Sequence, residues 1–297
     1  MPRPKKNFLN QFTMTGKGRF SLAKQPTEID KLYDNKKDYR DQLDDLRDKI
    51  DELQNMMYAH DRYALLAVFQ AMDAAGKDGT IRHVFSGVNP HGLQLYAFKK
   101  PSDRELDHDF MWRTNRFMPE RGRIGVFNRS YYEEVLVVRV HEEILKKYQR
   151  VPAEFTKSTD KVWKQRYEDI KNFELYAYRN GTRVMKFFLN VSKEEQGNRF
   201  LARIDEPEKN WKFSEADIKE RGYWNDYMRA YETCIKATAA PHAPWYVIPA
   251  DDKWNMRLIV AQLILDKLEN MDIHYPKVTP ARRKELQQIR TKLSGKL

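Results

Sequence analysis

An α/β fold is predicted, with a mostly parallel sheet carrying helices on both faces. Two observations lead there. Five short apolar runs alternate with amphipathic stretches, the pattern of successive βαβ units. Polar or glycine-rich clusters recur at residues 72–80, 127–133 and 249–253, each directly after an apolar run. In open α/β sheets, ligands collect at the carboxyl ends of the strands.

The elements follow in order. Residues 1–24 hold Arg3, Lys5, Lys6, Lys17, Arg19 and Lys24 and no acid, and read as a basic tail. Residues 28–58 read as one long helix, because Tyr39, Leu43, Leu46, Ile50, Leu53 and Met57 step by four and three into a single apolar seam. That seam packs either on the chain's own core or on a second copy. "YALLAVFQAM" is the first buried strand, and a helix follows from about Thr80. "LQLYAFKK" is the second strand, "DRELDHDFMWRTNRFM" a helix, "RIGVFNR" a short strand and "SYYEEVLVVRVHEEIL" the next helix. A further helix spans roughly 153–178, "RVMKFFLNV" and "WYVIPA" are strands, and "DKWNMRLIVAQLILDKLEN" closes the core. The last residues, with Lys277, Arg282, Arg283, Lys284, Arg290, Lys292 and Lys296 against Glu285, form a second basic end.

At 297 residues the chain is long enough for a sizeable core. Its mean hydropathy of −0.82 and the lack of any apolar run near ~20 residues argue against a membrane span, and the basic N-terminus has no apolar stretch of the secretory kind. Cys234 is the only cysteine, which excludes an internal disulfide or a cysteine-rich zinc site. A cytoplasmic location is expected. The two basic ends outweigh the net charge of +11, so the body is close to neutral. Such ends are either solvated tails or collectors of a polyanion, nucleic acid or polyphosphate.

The first cluster, "MDAAGKDGT", lies between a strand and a helix. There, backbone amides of Ala75, Gly76, Lys77, Asp78, Gly79 and Thr80 can face phosphate, aided by the helix dipole. The pattern departs from the usual phosphate loop, with Ala71 at the first glycine position and Asp78 where a magnesium-binding hydroxyl is usual. Asp73 can instead supply a hard oxygen ligand or accept a proton. A ligand-free hairpin turn is the alternative.

In the second cluster, "FNRSYYEEV", Arg129 offers a planar fork for phosphate and Glu133 a carboxylate near Asn128. Alternatively, Asn128 caps a helix while Arg129 and Glu133 pair along it. The stretch "SKEEQGNRFLARIDEPEKNWKFS" opens with a capping pattern at Ser192 and Glu195. It then sets Arg199 and Arg203 on one helix face, with Lys209 and Lys212 beyond. This is either a solvated helix or a lid that excludes water from phosphates.

Taken together with "APWYVIPADDKWNMRL", these segments resemble the polyphosphate kinase 2 family, over about residues 60–270 and in the family's order. The resemblance implies a three-layer α/β/α fold like that of P-loop kinases, with a helical lid. It also implies Mg²⁺-dependent transfer (Mn²⁺ as substitute) from inorganic polyphosphate to nucleotides. The form "NRSYYE" is similar to the subgroup, often called class III, that accepts both AMP and ADP.

By position, the resemblance makes Asp73, Lys77, Asn128 and Arg129 catalytic, with Asp73 holding metal alongside Glu133 or Asp251. Arg199 and Arg203 become lid contacts to phosphate. Arg113, Arg116, Asn128 and Glu133 become nucleotide ligands.

The expected organisation is a basic tail and helical extension over 1–60, a core over 61–275 with a lid near 192–230, and a basic tail over 276–297. A homo-oligomer, dimer or tetramer, is expected, without membrane or nucleic-acid partners. Two rival readings are an ATP-dependent nucleoside monophosphate kinase and a nucleic-acid-binding protein that uses its basic ends.

Overall fold

The computed structural model of the chain describes residues 6–295. Arg3, Lys5 and Lys296 of the charged ends lie outside the described residues, as do the side chains of Lys6 and Lys212. Six strands form one sheet: β1 (Thr13–Met14), β2 (Ala64–Ala71), β3 (Leu93–Ala97), β4 (Ile124–Asn128), β5 (Thr182–Asn190) and β6 (Trp245–Pro249). Their order is β1-β6-β5-β2-β4-β3; β2 to β6 are parallel and β1 is antiparallel to β6. All eight residues of β2 are buried, as a central strand covered on both faces requires. The chain leaves β2 toward β4 and β3 on one side, and β5 and β6 lie on the other. The crevice outside the carboxyl end of β2 is therefore the switch point where such sheets bind ligands.

Eight helices of eight residues or more surround the sheet among the described residues. They are α1 (Lys36–His60), α2 (Lys77–Phe85), α3 (Thr159–Arg179), α4 (Lys193–Asp205), α5 (Glu215–Gly222), α6 (Trp224–Thr238), α7 (Lys253–Glu269) and α8 (Pro280–Leu293). Residues 192–212 leave the carboxyl end of β5 and contribute Arg199, Arg203 and Lys209 to a cleft there, whereas α6 runs back along α3 to the start of β6. No helix is long and apolar enough to cross a membrane among the described residues.

Several expectations are corrected. Ahead of α1, Leu9, Phe12, Leu22 and Tyr33 are buried in the main core, and β1 adds a strand to the edge of the sheet. The seam of α1 faces this same core. Tyr39, Leu43, Leu46, Ile50 and Met57 are buried as α1 packs along α7, so the seam is not open to a second copy. The helix begins at 36 rather than 28 because Asn35 caps it through Lys37 N and Asp38 N. The preceding residues are also held in irregular form, with Leu32 N donating to Asn255 and the Ile29 and Asp30 carbonyls accepting from it.

The expected helix over 103–118 is two short turns, Asp103–Leu106 and Trp112–Asn115. The one over 130–145 is likewise broken. A tight turn over Tyr131–Val135 forms where the Tyr131 and Tyr132 hydroxyls both reach Glu174, at 2.9 and 2.8 Å. The C-terminal end is not a shapeless tail but the fully exposed helix α8, capped by Thr279 with Pro280 in its first turn.

Candidate active site

The loop between β2 and α2 faces a cleft of about 510 Å³ at the carboxyl end of the sheet, lined by Met72 through Gly79. Gly76, at φ 103°, turns the chain into α2, and a Cβ there would meet Met256 Cε at 3.2 Å. The amides that head α2 have no partner within the helix, so they and the helix dipole favour an anion. Ala74 and Arg129 also hold positive φ, 61° and 65°, in residues that rarely adopt it. Such strain gathers at binding sites.

Lys77 is partly buried, and its Nζ donates to the Ala71 carbonyl at 2.9 Å. Burial lowers its pKa, the Asp73 carboxylate opposes this, and Arg129 adds to the lowering. Parallel pairing sets Phe69 beside Asn128, and the Arg129 amide extends that ladder to the Phe69 carbonyl. The second cluster thus stands against the first. Asn128 Nδ2 donates to Asp78 Oδ1 at 2.6 Å, and Arg129 Nη2 lies 3.3 Å from Asp73 Oδ1. Asn128 does not cap the following turn; Ser130 does, through Tyr132 N. Nor does Arg129 pair along a helix, since its partner is Asp73.

Glu133 sits behind this pair. Burial raises its pKa, and Arg129 and then Lys77 oppose the rise. A carboxyl with a raised folded pKa binds its proton more tightly than in the unfolded chain. Its ionised form therefore costs stability once the pH exceeds the unfolded value. Glu133→Gln is expected to raise the melting temperature at neutral pH. It should bring no gain below the ordinary glutamate range, where the wild-type residue is protonated in both states. Melts at the two pH values check this; an equal gain at both would assign the effect to packing instead.

Arg199 lines the cleft and is held by the surrounding backbone. Its Nε donates to Glu195, Nη1 to the Ala74 and Ala75 carbonyls, and Nη2 to those of Ala250 and Asp251, at 2.7–3.1 Å. These bonds tie the loop to the helix after β5 and to the end of β6. Within the loop the Thr80 amide donates to the Gly76 carbonyl at 2.9 Å and the Ala75 amide to the Met72 carbonyl at 3.2 Å; the buried Thr80 hydroxyl also donates to Gly76. Asp251 Oδ1 accepts the Ser192 amide at 2.7 Å and braces the start of the helix after β5; Asp251 is not among the residues lining the cleft. Arg203 lines the cleft, 3.6 Å from Asp217 of α5.

Arg113 is buried and donates to the carbonyl of Lys99, a residue of the cleft wall. It also lines a second cavity of about 540 Å³ with Glu105, Phe110, Glu134 and Arg166. Arg116 is exposed, stacked 4.6 Å over Trp112, and lines neither cavity.

Sequence reasoning missed Lys99 in the cleft wall and Gln196, which donates to the Asp73 carbonyl at 2.9 Å; Lys253, from the cluster at 249–253, lies in the wall as well. Lys99 lies at the close of the second predicted strand, two residues past the end of β3, and Lys253 heads α7, so position at strand ends was the available signal. Burial lowers the Lys253 pKa, and neighbouring Arg199 lowers it further. The cleft wall carries Lys77, Lys99, Arg129, Arg199, Arg203, Lys209 and Lys253 against Asp73, Asp78 and Glu206. Its balance is cationic, as an oligo-anion requires.

The sequence pattern described as Polyphosphate kinase 2 matches residues 33–276. The chain is 55% identical over 285 residues to a protein of Rhodopseudomonas palustris named ADP-polyphosphate phosphotransferase, covering 95% of this chain and 97% of that one. It is 38% identical over 277 residues to an AMP/ADP-polyphosphate phosphotransferase of Meiothermus ruber, covering 93% and 98%. The crystal structure of Polyphosphate Kinase 2 from Arthrobacter aurescens TC1 superposes with a TM-score of 0.84 at 38% identity, over 97% of this chain and 99% of that one. A phosphate loop joined to Asn128-Arg129 under a helical lid, and likeness along nearly the whole length, lead to one conclusion: the chain belongs to the polyphosphate kinase 2 family.

Proposed function

We propose that the chain transfers the terminal phosphate of inorganic polyphosphate to ADP and AMP, forming ATP and ADP, reversibly. The observation that carries this reading is the cationic cleft at the switch point, where loop amides, Lys77 and Arg129 converge. Donor and acceptor are both polyanions, so the barrier is chiefly repulsion and misalignment. Fixed donors and cations address both.

In the forward direction, a terminal phosphate oxygen of the nucleotide attacks the end phosphorus of the chain. The bridging P–O bond breaks, and the shortened polyphosphate leaves with the electron pair. The loop amides and Lys77 hold the donor's end, and Arg129, oriented by Asp73, faces the transferring group. Arg203 and Lys209 are ion-paired within the lid to Asp217 and Glu206, and phosphate oxygens can take the place of those carboxylates. The second cavity, within the ~300–1,000 Å³ range of small-ligand sites, suits the nucleoside, with Phe110 as apolar wall and Glu105 and Glu134 as acceptors. Arg113 stands between that cavity and the loop.

Magnesium fits the donor set in a sparse form. No cluster of three or more His, Cys, Asp or Glu side chains suited to a metal occurs among the described residues. This ion commonly takes one or two carboxylates and shares substrate phosphates. Asp73 is the carboxylate on the loop, with Arg129 engaging its Oδ1, and Glu133 lies behind it. Bound there, magnesium or manganese supplies charge neutralisation on the transferring phosphate.

Protein given AMP, magnesium and polyphosphate without ATP is expected to yield ADP and then ATP, read by nucleotide chromatography. Product formed only when ATP is the donor would establish the monophosphate-kinase reading instead.

A further inference from the structure

Outside the cleft, three cations stand on one concave face without ion-pair partners. After β1 the chain runs through Gly16-Lys17-Gly18-Arg19, with both glycines at positive φ, 80° and 83°. A Cβ on Gly16 would fall 2.4 Å from the Ala239 carbonyl oxygen, so the loop is seated directly against the end of α6. This loop, Ser21 and Lys24 form one wall of a cleft of about 550 Å³; Ile235, Lys236 and Ala239 form the other. No carboxylate lines it. Lys17, Arg19 and Lys24 are exposed and make no ion pair with another described residue, whereas Lys236 pairs with Glu232. Unpaired cations in a concavity without acid raise the local potential and retain polyanions.

A route connects this face to the phosphate loop. Gln25 lines both the basic cleft and a larger groove of about 820 Å³, whose wall includes Arg139, Ser192, Lys193 and Arg229 as well as the carboxylates Asp226 and Glu232, which pair with Arg229 and Lys236. Ser192 and Lys193 open the lid, and Gln196, one turn on, donates to the Asp73 carbonyl. The base of the lid thus stands between the phosphate loop, which Gln196 touches, and a groove that reaches the Lys17–Lys24 face.

We infer that this basic cleft binds the distal part of the same polyphosphate chain whose end lies at residues 73–79. The inference rests on the proposed function and adds a second holding point, which raises the effective concentration of the donor's end at the site. Polyphosphate is favoured over single-stranded nucleic acid because base stacking needs open aromatic faces. The one aromatic residue of this cleft, Phe20, is packed against the core.

The test is the triple variant Lys17→Ala/Arg19→Ala/Lys24→Ala, whose side chains leave no described ion pair broken. Its KM for long-chain polyphosphate is expected to rise about tenfold. The log–log salt slope of long-chain binding, measured without nucleotide by anisotropy of a labelled chain, is expected to fall by about 2. The KM values for inorganic tripolyphosphate and for the nucleotide should stay within about twofold, because neither reaches the cleft. Equal shifts for long and short donors, or no shift for either, would overturn the inference. So would loss of single-stranded DNA binding with long-chain polyphosphate unaffected. A wild-type protein that binds long chains but transfers nothing would count against the proposed function, and the salt slope would still decide the cleft.

Discussion

Lys77→Ala is expected to lower polyphosphate-dependent kcat by about 10²–10³-fold, or about 2.7–4 kcal/mol of transition-state stabilisation. The ammonium is held by the Ala71 carbonyl at the head of α2, among Asp73, Asp78, Glu133 and Arg129. It therefore meets the transferring group without reorganising. Because it approaches a phosphate that gains charge in the transition state, kcat should fall more than the KM for polyphosphate rises. Steady-state kinetics on folded, purified variant checks this. A Lys77→Ala enzyme with near wild-type kcat would move the chemistry away from the loop.

The second large effect concerns stability and lies one layer below the site. Lys186, in the middle of β5, and Glu174, on α3, are both fully buried with Nζ and Oε2 2.6 Å apart. Glu174 Oε1 also accepts the Tyr131 and Tyr132 hydroxyls, and Lys186 donates to the Thr238 carbonyl. Burial pulls the lysine pKa down and Glu174 opposes it. Removing one partner leaves an uncompensated charge in a dry core. Lys186→Met is expected to cost about 3–5 kcal/mol in urea-induced unfolding. The double variant Lys186→Met/Glu174→Gln should recover part of that loss, since neither charge then remains. A single variant as stable as wild type would mean that water reaches this network. Because the two tyrosines directly follow Arg129 and Ser130, the same network also holds the turn that carries the second cluster.

Much of this was legible in the residues. β2, β4, β5 and β6 were visible as apolar runs because a central parallel strand is buried on both faces. The pairing of the two phosphate clusters followed from their positions at strand ends. β1 was not legible: two residues, Thr13 and Met14, carry no periodicity, and only pairing with β6 makes them a strand. The breaks after residues 106 and 135 come from tertiary anchors, notably Glu174, which lies about forty residues beyond the tyrosines it holds.

Arg199 shows the limit of reading roles from charge. A spacing of four set it with Arg203 on a lid face, and both line the cleft, yet Arg199 spends its nitrogens on the backbone of the loop and of residues 250–251. Lysine at position 186, inside a fully apolar run, was the sequence's own signal of a buried partner. That partner could not be chosen from among many acids until the fold placed Glu174 against it.

The central claim is direct transfer from a polyphosphate chain gripped by the loop at residues 73–79. Single-turnover mixing of excess protein with ³²P-labelled polyphosphate, magnesium and ADP, with no ATP present, tests it most directly. The account predicts that label appears in the terminal phosphate of ATP, that no labelled protein precedes it, and that Lys77→Ala slows this step. Label accumulating on the protein before ATP, or label that never reaches ATP, would contradict it.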